Sequence, residues 1–264
     1  MRNVRNFIVA HKLTVAEEIK AKGRYRSTNN ASWLYNGSDQ GQVVVPYVWT
    51  GAGNGTSWSD GANWDTGTVP PNGGDTCVDL SRATSVTLSE DVVVSCVIAM
   101  PNERNRHAVA ITGDGKMSIN CPGFCTAFFV TEGNELTLDV DVERGAASNI
   151  AFGGGGRIVF KKSFPGPKDS DATAYLDMDA EVVWDGLTKL SYFGAVTDTY
   201  LPLWSHEVSP FGKVVVTGET VIDDLDCLVL SREGNGQLRE FRQTGGTLTL
   251  GVLDICSRRS ADVP

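Results

Sequence analysis

One short frame recurs through the body of this chain: an apolar strand, a glycine turn and an alternating strand. It reads Ile111-Thr-Gly-Asp-Gly-Lys-Met-Ser-Ile119 and again Val130-Thr-Glu-Gly-Asn-Glu-Leu-Thr-Leu138. Further copies start at Ala151, Val183, Val215 and Arg242. The turn glycines Gly113, Gly133 and Gly154 are 20 and 21 residues apart, and Gly186, Gly218 and Gly245 follow at 32, 32 and 27. A period near 20 with inserts is the mark of a solenoid. Within a strand, alternation sorts the two faces: Leu136, Leu138, Val140 and Val142 point one way, while Glu135, Thr137, Asp139, Asp141 and Glu143 point the other. An antiparallel sandwich shows the same alternation. The one-coil period and the lack of short hairpin pairs favour an all-β chain folded as a single-stranded, right-handed parallel β-helix.

Charge divides the chain in two. The 264 residues carry a net −9. Residues 1–45 hold Arg2, Arg5, Lys12, Lys20, Lys22, Arg24 and Arg26 against Glu17, Glu18 and Asp39, a net +4, so residues 46–264 carry −13. The division predicts a basic N-terminal arm, 1–45, and an acidic β-helical body, 46–264. Phosphate repels an acidic body, which argues against general nucleic-acid binding. The arm suits docking onto that body or onto a neighbouring subunit, and so suits a homo-oligomer or an assembly made through residues 1–45. In the arm, Thr14-Val-Ala-Glu17 has capping-box spacing and Gly23 stands where a helix would end, which predicts a short helix. Residues 27–42 read as a linker with Trp33-Leu34-Tyr35 as an apolar anchor. No stretch approaches the roughly 18 apolar residues of a transmembrane helix. Only four apolar residues run together after Met1, at Phe7-Ile-Val-Ala10, so a secretory signal peptide is not expected.

The body opens with tryptophans. Trp49-Thr-Gly, Trp58-Ser-Asp-Gly-Ala-Asn-Trp64, Gly67-Thr-Val-Pro70 and Gly74-Asp75 follow in order. This run of about 27 residues resembles the segment that opens many bacterial surface β-helix proteins of the autotransporter passenger type. The Gly245-Gly-Thr-Leu-Thr-Leu250 copy resembles the strand repeat of the same proteins. The resemblance implies a parallel β-helix beginning near residue 75, with the Trp segment folded over its first coil. Trp49, Trp58 and Trp64 then serve as a structural cap over an open hydrophobic end. The other reading is a platform of aromatic faces for sugar rings.

Six cysteines, Cys77, Cys96, Cys121, Cys125, Cys227 and Cys256, all fall in the body. Parity with neighbouring apolar residues, such as Cys96 with Val92, Val94 and Ile98, suggests core positions and buried thiols. Adjacent coils about 4.8 Å apart would also let Cys77 and Cys96 form a disulfide. His11, His107 and His206 are isolated and no cysteine spacing suits zinc, so no metal and no cofactor is expected.

Catalytic candidates are weak. Asp139, Asp141 and Glu143, near Arg157, Lys161 and Lys162, supply carboxylates for acid and base work of the kind polysaccharide-degrading β-helices use, yet any solvated strand face needs the same residues. Segments 163–178 and 196–212 widen the period and are expected to leave the coil on one side, where solenoid inserts often build a binding face. Tyr175, Tyr200, Trp204 and His206 are their ligand-binding candidates. The expectation is a non-enzymatic surface or fibre protein, adhesin-like, that binds a glycan or a surface protein at the cell surface, outside the cell or on a virion. A polysaccharide-degrading enzyme such as a virion tailspike is the alternative, and a structural assembly subunit the third.

Overall fold

A computed structural model describes residues 46–100, 107–120, 124–145, 149–165, 175–178, 180–191, 200–202, 213–221, 227–229, 240–249 and 253–254. The basic arm and its expected helix lie outside them. Strand β1 (Tyr47–Val48) comes first, and the next strands are β2 (Cys77–Asp79), β3 (Ser85–Leu88) and β4 (Val92–Val94). Then come β5 (Cys96–Ala99), β6 (Ala108–Ile119), β7 (Phe124–Val130) and β8 (Glu135–Arg144). The chain continues through β9 (Asn149–Gly153), β10 (Arg157–Phe160), β11 (Ser163–Pro165), β12 (Tyr175–Met178), β13 (Glu181–Trp184) and β14 (Lys189–Ser191). It closes with β15 (Tyr200–Pro202), β16 (Lys213–Val216), β17 (Thr220–Val221), β18 (Cys227–Val229), β19 (Glu240–Gln243), β20 (Leu248–Thr249) and β21 (Leu253–Asp254).

Every ladder between these strands is parallel. Parallel neighbours far apart in sequence exclude a sandwich of hairpins. The chain is a β-solenoid, and the one helical element among the described residues is the single 3-10 turn Gly61–Asn63. The first face stacks β1, β2, β5, β7, β9 and β12. The second stacks β3, the front half of β6, the front half of β8, β10, β13, β16 and β19. The chain then turns onto a third face, where β4 pairs with the back half of β6 and β11 with β14. There the Ser163 hydroxyl bridges from β11 to β8, donating to the Val142 carbonyl (3.0 Å) and accepting from its N–H (2.8 Å).

Stacking puts like on like. On the inner side of the second face, Val86, Ile111, Leu138, Phe160, Trp184 and Val216 form one column. Val109, Leu136, Ile158, Val182 and Val214 form the next, and all eleven are buried. Each fully buried aliphatic side chain contributes roughly 1.5–3 kcal/mol of transfer free energy. Aromatic rings pack beside these columns: Phe128 stacks on Phe152 with centroids 5.9 Å apart, and Phe164 meets Trp184 edge to face at 5.5 Å.

Three expectations need correction. The coil is not built on a 20-residue period: Glu135, Arg157, Glu181, Lys213 and Glu240 occupy one register position on successive coils, 22, 24, 32 and 27 residues apart. Gly133 and Gly154 turn the chain from the first face to the second, whereas Gly113 lies between the second and third faces. Their spacing therefore mixed two corners. Segments 163–178 and 196–212 are not inserts throughout, since they contain β11, β12 and β15. Finally, Cys77 and Cys96 are joined in a disulfide between adjacent coils instead of standing as thiols. They also lie outside the main core. Val78, Val97 and Ala99 point inward, so alternation turns Cys77, Cys96 and Ile98 to the outer side.

Candidate functional site

The Trp segment is the first coil, thinned almost to its contacts. Its first strand, β1, already belongs to the first face, pairing Tyr47 with Val78. Ser57 then makes a parallel bridge to Thr87 on the second face, where the Trp58 N–H donates to the Thr87 carbonyl (3.0 Å). On the third face Asn72 accepts from the Val93 N–H (2.8 Å) and the Gly73 N–H donates to the Val93 carbonyl (3.0 Å). Among the described residues the solenoid thus begins at Tyr47, earlier than the expected residue 75. Trp49, Trp58 and Trp64 are buried at 1%, 4% and 2% exposure and meet edge to face, with Trp64 at 5.0 Å from Trp49 and 4.9 Å from Trp58. Rings packed this way turn no open face toward a sugar.

Asn63 organises that coil. Fully buried, it donates from Nδ2 to Asn54 Oδ1 (3.0 Å) and the Ser57 carbonyl (2.9 Å). Its Oδ1 accepts from the N–H groups of Gly53 and Gly55, each at 3.0 Å. Asp60 accepts from the N–H groups of Asn54 (2.8 Å) and Ala62 (3.1 Å). The Trp64 indole donates to the Trp58 carbonyl (2.9 Å). Gly53 is required because a Cβ there would lie 2.4 Å from Asp60 Oδ2. The spacing W-x-D-x-x-N-W therefore encodes a closed hydrogen-bond network over an apolar plug.

The outer side of the second face carries an ordered set of charges. The register position that starts each strand reads Glu135, Arg157, Glu181, Lys213, Glu240, alternating in sign. Arg157 bridges two coils, reaching Glu135 at 2.7 Å and Glu181 at 3.2 Å. Four residues along, Lys161 lies 3.7 Å from Asp185, which also accepts from the Thr217 hydroxyl at 3.0 Å. Between these two columns runs a stripe of Val159, Val183 and Val215, which cluster apart from the main core.

The predicted carboxylates are divided between faces. Asp139 follows directly on Leu138 at the end of the second face, opposite Thr112 of β6. Asp141 pairs with Lys189 at 3.1 Å across the third face. Glu143 pairs with Lys116 at 3.2 Å and accepts a short hydrogen bond from the Ser118 hydroxyl, and Lys116 also approaches Asp91 at 3.8 Å. Lys162 donates to the Gly113 carbonyl at 3.1 Å. Chemically, this is a lattice of cations and anions holding coil to coil. Asp141 and Glu143 spend their oxygens on coil-to-coil partners instead of converging on one cleft. Among the described residues no cluster of three or more His, Cys, Asp or Glu is arranged to hold a metal ion, and no helix is long and apolar enough to cross a membrane.

Tyr175 opens β12 on the first face and Tyr200 opens β15, while Trp204 and His206 lie outside the described residues, as do the side chains of both tyrosines. No family model matches the chain, nor does any curated protein or solved structure. Two features escaped the sequence reading: the Asn63 network and the alternating charge column. The second had a visible signal. Arg157-Ile-Val-Phe, Glu181-Val-Val-Trp and Lys213-Val-Val-Val share a charged residue followed by three large apolar ones, and aligning strands by that tetrad instead of by glycine gives the true coil length.

Proposed function

We propose that this protein is a non-enzymatic β-helix of the cell surface, or of a fibre, that binds a glycan or a protein partner. The observation that carries the reading is the pairing of Asp141 with Lys189 and of Glu143 with Lys116 and Ser118. A glycosidase needs two carboxyl groups flanking one bond, and these two are committed to structural partners. A rigid outer face with fixed alternating charges suits recognition, because it presents a preorganised pattern and little entropy is lost on binding. The disulfide between Cys77 and Cys96 supports an oxidising location outside the cytosol. The Trp49–Asp75 run supports a surface protein of the autotransporter passenger type by resemblance, and Trp49, Trp58, Asp60, Asn63 and Trp64 of that run each take part in closing the coil.

In this reading Tyr175, Tyr200, Trp204 and His206 furnish the ligand contacts. The test is a glycan and surface-protein array probed with the intact chain, followed by Trp204→Ala and Tyr175→Ala on any hit. The expected result is saturable binding weakened by about 1–3 kcal/mol per lost aromatic, with the melting midpoint unchanged. A fall in the midpoint with affinity intact would remove these residues from the site.

A further inference from the structure

The two charged rows on the outer side of the second face share one order of signs. One row runs Glu135, Arg157, Glu181, Lys213 and the other Asp139, Lys161, Asp185, Thr217, on the successive strands β8, β10, β13 and β16. In both rows the cation on β10 stands between an anion on β8 and an anion on β13. Neighbours within a row pair with one another, yet a lysine has three donors, an arginine five and a carboxylate about four acceptor sites, so each can take a further partner. The side chains of Glu135, Arg157, Lys161, Glu181, Asp185 and Lys213 remain 27% to 41% exposed. The valines between the rows are buried, so a docking surface here consists of the rows.

We propose that the partner of this face is a second copy of the same chain, laid face to face with its solenoid axis reversed. Two-fold symmetry brings a patch onto itself, and these charges suit few placements of the axis. An axis along the strand direction, midway between β10 and β13, keeps each row over its own row while exchanging β10 with β13 and β8 with β16. Arg157 then faces the partner's Glu181, Lys161 faces the partner's Asp185, and Glu135 faces the partner's Lys213. Symmetry makes each contact twice, and no two like charges in the rows meet. An axis along the solenoid instead lays one row over the other, setting Arg157 against the partner's Lys161 and Glu181 against the partner's Asp185. An axis running through β13 sets Glu181 against the partner's Glu181. The charges therefore select a reversed dimer with its axis between strands. Exposed ion pairs contribute little each, so their number holds the dimer, and salt weakens it by screening. This inference does not rest on ligand binding by Tyr175, Tyr200, Trp204 or His206.

Sedimentation equilibrium of the full chain gives the first test, at about 10 mM and about 1 M salt, where the Debye length falls from roughly 30 Å to 3 Å. A dimer at low salt, with a dissociation constant raised at least about tenfold at high salt, is expected. A monomer at both, or a dimer indifferent to salt, would overturn the proposal. Two double variants then identify the face. Glu181→Lys with Asp185→Lys makes both rows cationic on β10 and β13, and Arg157→Glu with Lys161→Glu makes them anionic there. Each variant alone should be monomeric at low salt, and mixing the two should restore the dimer, since opposite signs then face one another. Dimers of either variant alone, or none in the mixture, would contradict the assignment. The unaltered chain gives a reading that does not depend on how the variants fold. Ordinary and heavy-nitrogen chains, mixed at high salt and returned to low salt, are joined with a zero-length carbodiimide. Mixed-isotope peptides should link Lys161 to Asp185 and Lys213 to Glu135. Links within one isotope only, or mixed links confined to residues 1–45, would overturn the reversed dimer.

Discussion

Asn63 and Asn54 lock to one another through a 3.0 Å hydrogen bond, and through them the first coil closes on itself. Asn54 Oδ1 also accepts from the N–H groups of Thr56 (3.0 Å) and Ser57 (2.8 Å). With the bonds Asn63 makes to Gly53, Gly55 and Ser57, two amides satisfy four backbone N–H groups and a carbonyl beside three buried indoles. The apolar plug and its polar fastening are one device: indoles exclude water from the open end, and the amides leave few backbone groups needing that water.

Asn63→Leu is therefore expected to destabilise the protein far more than its similar size suggests. It strands the N–H groups of Gly53 and Gly55 and the Ser57 carbonyl in a part-buried setting, at about 1–3 kcal/mol for each group left unpaired. Urea unfolding should show the loss, and native tryptophan emission should shift to the red as the coil opens. Stability and emission like those of the parent chain would contradict the network's role.

Leu138 lies between Ile111 and Phe160 in the inner column and is fully buried. Leu138→Asp puts an unpaired carboxylate between coils and should cost several kcal/mol, enough to unfold a marginally stable chain. Leu138→Ala should cost about 2–5 kcal/mol through lost contacts and a cavity. Circular dichroism melts of the two variants check both magnitudes. Near-normal melting of the Asp variant would refute the inside and outside assignment of the whole second face.

Cys77 and Cys96 should resist a thiol reagent in denaturant and become reactive after reductant is added. Peptide mapping of the labelled chain identifies them among the six cysteines. Replacing both with Ser should lower stability by about 3 kcal/mol, the loop-closure contribution for a separation of 19 residues. Labelling of both in denaturant without reductant would contradict the bridge.

Within one strand the sequence was a reliable guide, and across corners it was not. Leu136, Leu138, Val140 and Val142 alternate with polar residues and are all buried, because pleating fixes period two while the strand runs on. Parity does not survive a corner. Ser95 interrupts the chain between β4 and β5, so Val92 and Val94 face the core while Cys96 faces out. Glycine misled for a related reason, since it serves different corners by different physics. At Gly133, with φ 82°, a Cβ would meet nothing within 4 Å, so backbone conformation alone selects the residue. At Gly113 a Cβ would lie 2.1 Å from the Leu88 carbonyl oxygen, so close stacking of coils selects it as well. A one-letter repeat cannot distinguish the two. Charged pairs across coils, such as Glu135 with Arg157, depend on register, which becomes readable only when coil length is known.

Turnover on polysaccharide tests the central claim most directly. The chain, at concentrations comparable to the substrate's chain ends, is incubated with a panel of acidic and neutral bacterial polysaccharides, and new reducing ends and unsaturated products are counted. The pairing of Asp141 with Lys189 and of Glu143 with Lys116 predicts no products above the enzyme-free control. Product formation that proceeds through many turnovers and disappears in Asp139→Asn, Asp141→Asn or Glu143→Gln would contradict it, and would make the outer face a catalytic one.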